Sequence, residues 1–80
     1  MQMYLLVVRE KYKDVHITDA FRKRYPQPYY VAKQTINSYK IIGEPKYCRF
    51  VNSEDFTIVG TTHYRTVEET LENLYPEYLI

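Results

Sequence analysis

Cysteine is nearly absent. Cys48 is the only one in 80 residues, so no intrachain disulfide can form and the paired-cysteine framework of small secreted proteins is excluded. A reducing, cytoplasmic setting is the expectation. Glycine is scarce too: Gly43 and Gly60 stand alone, which leaves no glycine-rich loop to cradle a phosphate. Long apolar runs are also missing. Residues 3–8 are too short to cross a membrane, lack a small-residue cleavage site and run straight into the charged stretch 9–14. Neither a membrane span nor an export signal is expected.

Metal and catalytic spacings are absent as well. His16, His63 and Cys48 are scattered, with no CxxC or HxxxH pair to announce a zinc site. A Cys48–His63 nucleophile pair fails on reach, because the strand register expected below separates the two by about 13 Å, against the roughly 3 Å that a dyad needs. Glu54 and Asp55 fall in a turn, where acids are common for backbone reasons, and Asp14 and Asp19 have no partner marked by spacing. The chain is therefore read as a non-enzyme without metal or cofactor.

What is present fits a single domain over residues 1–80. A domain of this size buries only about 60% of its unfolded surface. Hydrophobic residues make up 45% of the chain, but ten are tyrosines, whose apolar ring and polar tip suit the rim of a core or a binding surface. Residues 3–8 read as a strand inside a sheet, covered on both faces. Thr18 offers an N-cap for a helix over about 18–25, with acid first, bases last and Pro26 as the stop. Residues 28–43 support two readings: a helix carrying Val31, Ala32, Ile36 and Tyr39 on one face, or two strands turning at Asn37 and Ser38, which the β-branched and aromatic content favours.

Residues 47–51 and 56–60 flank a four-residue polar loop and read as a hairpin with Val51 opposite Phe56. Thr66 and Glu69 form a capping box for a helix over about 66–75, packed through Val67, Leu71 and Leu74 and ended by Pro76. The expected class is α+β, a small domain with a mostly antiparallel sheet and two helices. The runner-up is a winged helix-turn-helix, in which residues 28–39 would be the second helix and the 47–60 hairpin the wing.

The net charge of +1 hides a dipole: residues 20–53 carry seven bases against one acid, and residues 54–80 carry one base against six acids. Bases interleaved with tyrosines are the ingredients of a nucleic-acid surface, although no aromatic RNP run or GxxG loop is present. Strands apolar on both faces, with helices enough for one, leave surface for a second copy of the chain or for another protein to cover. The expected function is a non-enzymatic regulatory or inhibitory module that occupies a partner's surface, in the style of a phage or mobile-element protein blocking a host machine. That comparison is an analogy of size and style. The expected contacts are Tyr25, Tyr29, Tyr30, Tyr39 and Tyr47 as anchors, with Arg22, Lys23 and Arg24 steering toward an acidic or nucleic-acid-like surface. The alternative is a nucleic-acid-binding regulator of winged-helix type.

Overall fold

The computed structural model describes residues 4–43 and 49–75. In chain order these form β1 (Leu6–Glu10), α1 (Asp19–Arg24), β2 (Tyr29–Gln34), β3 (Ser38–Ile41), β4 (Arg49–Asn52), a 3-10 turn (Ser53–Asp55), β5 (Phe56–Thr61) and α2 (Val67–Leu74). The sheet runs β4-β3-β2-β1-β5 with every neighbouring pair antiparallel. The class is α+β. β1 is an interior strand, and residues 29–41 form the β2–β3 hairpin, which removes the helix that a winged helix-turn-helix would need there.

The hairpin expected between β4 and β5 does not form. Val51 pairs with Tyr39, and Phe56 pairs with Glu10, at opposite edges of the sheet. The cause is local. The Asn52 side chain accepts the Glu54 N–H at 3.0 Å and winds the polar loop into a 3-10 turn. That turn is then tied down on both sides: the Ser53 N–H donates to the Asn37 carbonyl, and the Asp55 carbonyl accepts from Lys11 and Tyr12.

The linkage bends the sheet. Five flat strands would set the edges about 19 Å apart, but four residue steps from Asn52 to Phe56 span at most about 14 Å. The sheet therefore curls at this end into a partly open barrel. Bulges between Val7 and Val8 and between Val31 and Lys33 supply curvature.

Inside the curl, alternate residues of the strands (Val8, Tyr29, Val31, Tyr39, Ile41, Val51, Phe56) meet Ile17, Phe21, Tyr25 and Tyr75. Seven rings run in an unbroken chain: Tyr30, Tyr75, Tyr25, Phe21, Tyr29, Phe56 and Tyr39, with successive centroids 4.9 to 6.3 Å apart, the range in which tilted and edge-to-face pairs attract. Gly43 lies under this chain. A Cβ there would sit 3.1 Å from ring carbons of both Phe21 and Tyr25, so any larger residue would push the rings or the backbone aside.

Both helices start where the sequence places them. The Thr18 hydroxyl accepts the Phe21 N–H at 3.0 Å, and the Thr66 hydroxyl accepts the Glu69 N–H at 3.0 Å. The reciprocal arm of the second cap differs from expectation, because the Glu69 carboxylate takes the N–H of Arg65 rather than that of Thr66. The packing face of α2 differs as well. Leu74 is exposed, while Thr70 is fully buried and Tyr75 enters the core. Thr70 tolerates burial because its hydroxyl donates to the Thr66 carbonyl at 3.0 Å.

Candidate functional site

The charged residues inside the fold act as ties. Glu10 follows Leu6 and Val8 at alternate positions of β1 and so points inward, with its side chain only 7% exposed. There Arg22 clamps it in a two-point pair, Nε to Oε1 at 3.0 Å and the terminal nitrogen to Oε2 at 3.1 Å. Oε2 also accepts the Asp14 N–H, and Oε1 accepts from Gln27 and the Tyr29 hydroxyl. Arg22 spends its remaining donors on the Ile17 and Asp14 carbonyls and on Asp19. Burial raises the pKa of Glu10, but the hydrogen bonds from Arg22 and Asp14 and the guanidinium charge outweigh it and hold the carboxyl below its ordinary value. Burial, reinforced by the Glu10 charge, pushes the Tyr29 phenol up to about 12.

A second acid tie closes the barrel corner. Buried Asp14 accepts the His16 N–H at 2.7 Å and, across the sheet, the Asn52 N–H at 3.3 Å. A hydrogen bond with Asp14, followed by desolvation and the Asp14 charge, raises the Asp55 carboxyl above its ordinary value. That hydrogen bond joins the loop after β1 to the turn before β5.

These ties correct the expected contact set. Tyr25, Tyr29 and Tyr39 are core residues, 0%, 1% and 6% exposed, so they anchor the fold rather than a partner. The end of α1 and strands β2 and β3 supply these large rings to a thin core. Tyr30 is half-buried against Tyr75. Arg22 is clamped by Glu10 and does not steer. Lys23 and Arg24 are exposed on α1, and Tyr47, like Cys48, lies outside the described residues.

What the surface does offer was not read from sequence. β5 is an edge strand that carries no charged residue and no proline. Among the described residues it pairs only with β1. Val59 is the extra residue of the bulge, since Val8 pairs with Ile58 and Val7 with Gly60. Ile58 and Val59 are each about half exposed, and Tyr12, bonded through its N–H to the Asp55 carbonyl just before the strand, is exposed as well. The sequence shows the uncharged run 56–61, but its place at an edge follows only from the pairing with β1.

Among the described residues no group of three His, Cys, Asp or Glu could hold a metal ion, and no helix is long and apolar enough to cross a membrane. Every buried side-chain nitrogen and oxygen among them has a hydrogen-bond partner. Fold and surface together define a small α+β scaffold in which, among the described residues, the buried side-chain nitrogens and oxygens are all engaged. No protein-family model, curated protein or solved structure matches the chain.

Proposed function

We propose that this chain is a non-enzymatic module that regulates or inhibits a protein partner by occupying its surface, with β5 as the contact strand. The observation that carries the reading is an uncharged edge that, among the described residues, no element covers. Folded proteins blunt sheet edges with lysine, proline, bulges or a covering element, because an edge is a row of unpaired backbone donors and acceptors. β5 has a bulge but neither lysine nor proline, and Ile58 and Val59 at that bulge are each about half exposed as apolar contacts. An extended segment of a partner adds to such an edge through main-chain hydrogen bonds, and side-chain pockets give it specificity. The lone cysteine supports a cytoplasmic setting. The engagement of the buried acids in structural ties supports a binding role over a catalytic one.

The test is affinity capture from the native host with the full chain and with Val59→Lys, read by mass spectrometry. A protein held by the parent chain and lost from a variant of unchanged melting temperature supports the reading. Retention of that protein by Val59→Lys moves the contact away from β5. Capture of no protein at all removes the reading.

A further inference from the structure

A second surface differs in chemistry from the β5 edge. β2, β3 and β4 together carry Lys33, Lys40 and Arg49 and no acid. Lys33 lies directly opposite Lys40, and Lys40 directly opposite Phe50. Tyr39 and Val51 point into the core, so Lys33, Lys40 and Phe50 form one row on the outer face. Phe50 is half exposed, with the Lys40 ammonium 5.8 Å from its ring centre. At its β2 end the row meets a shallow concavity that Lys33 lines together with Tyr4, Leu6 and Val31. Tyr4 is also nearly half exposed, and the Arg65 guanidinium lies 5.6 Å from its ring. The row across the sheet is base, base, ring, with a second ring and a third base near its β2 end.

Two like charges directly opposite on neighbouring strands repel each other. Among the described residues Lys33, Lys40 and Arg65 form no ion pair with a carboxylate. The arrangement is relieved by an anion that lies across the strands. The exposed rings say which anion. Phenyl and phenol faces stack on unpaired bases, which a duplex hides inside its own stack and an acidic peptide does not possess. Two interstrand spacings separate Lys33 from Phe50, about 10 Å. That matches about three stacked nucleotides at about 3.4 Å each, or fewer in an extended strand.

We propose that the outer face of β2, β3 and β4 binds single-stranded nucleic acid, with Lys33 and Lys40 on phosphates and Phe50 on a base, and with Arg65 and Tyr4 beside Lys33 adding a third phosphate contact and a second stacking ring. The site is separate from the β5 edge, and each stands or falls without the other.

Fluorescence anisotropy of the full chain with labelled oligo-dT and oligo-U across a salt series tests this. Three phosphate contacts on a single strand predict that log K falls with log salt at a slope of about −2. Lys33→Glu with Lys40→Glu should reduce that slope to about −0.7 and weaken binding about tenfold or more. Phe50→Ala should weaken binding about fivefold or more and leave the slope alone, because stacking releases no counterions. Melting curves establish that each variant is folded, and Lys23→Glu on α1 serves as a charge change off the face. Absence of binding at low salt overturns the proposal. So does an equal loss in Lys23→Glu, which would show a net-charge effect. Displacement by polyglutamate as effective as by unlabelled oligo-U would also overturn it and assign the face to an acidic protein.

Discussion

Glu10 and Arg22, twelve positions apart in sequence, meet through two parallel hydrogen bonds of 3.0 and 3.1 Å and fasten α1 to the sheet. Breaking one side of a largely buried pair leaves the other charge without a partner. Glu10→Gln should therefore destabilise the fold by about 3 kcal/mol in urea unfolding. The folded pKa of Glu10 is depressed. Its contribution is thus complete above the ordinary glutamate value and disappears as pH falls through the lower folded value. A pH series of unfolding curves should show that acid-dependent loss in the parent and not in the variant.

Asp55 has the opposite sign. Its carboxyl is raised by the bond to Asp14, so the folded state favours the protonated form, and this contribution is lost as pH rises through the folded value. Asp55→Asn supplies a permanent donor to Asp14. The variant should melt higher than the parent at neutral pH and level with it well below the ordinary aspartate range.

Gly43→Ala tests the close approach under the ring chain. The added methyl would press on Phe21 and Tyr25 at 3.1 Å, and overpacking of this kind costs about 1–3 kcal/mol. The expected readout is a lower urea midpoint with an unchanged slope.

Thr18→Ala removes the hydroxyl that accepts the Phe21 N–H. Loss of an N-cap costs about 1 kcal/mol. The effect should appear as faster amide exchange in α1 as well as a lower global stability.

Features carried by neighbours in sequence were legible without the structure. Thr18 and Thr66 cap the helices they announce, and the β-branched and aromatic content of residues 28–43 gave a hairpin. Features decided by distant residues were not. Asn52 turns β5 away from β4 only because Asn37, Lys11 and Tyr12 are there to hold the resulting corner. Three of the five tyrosines read as contacts are buried because a thin core recruits rings whatever their polar tips. Arg22 looked free within its three-base run because Glu10, its partner, belongs to another element. Alternation along β1 would have hinted at that pair, since Glu10 shares a face with Leu6 and Val8. On the outer face, the Lys33–Lys40–Phe50 row could be seen only once strand register was known.

The three-residue corner between β4 and β5 also governs when the molecule can be made. Leu6 pairs with Val31 on one side and with Thr61 on the other, so the first strand waits for nearly all of the described chain before its second neighbour exists. On a ribosome, the meander of the first four strands can assemble while β1 still has an open flank. β5 docks on β1 late, in a pairing whose long sequence separation sets a slow step.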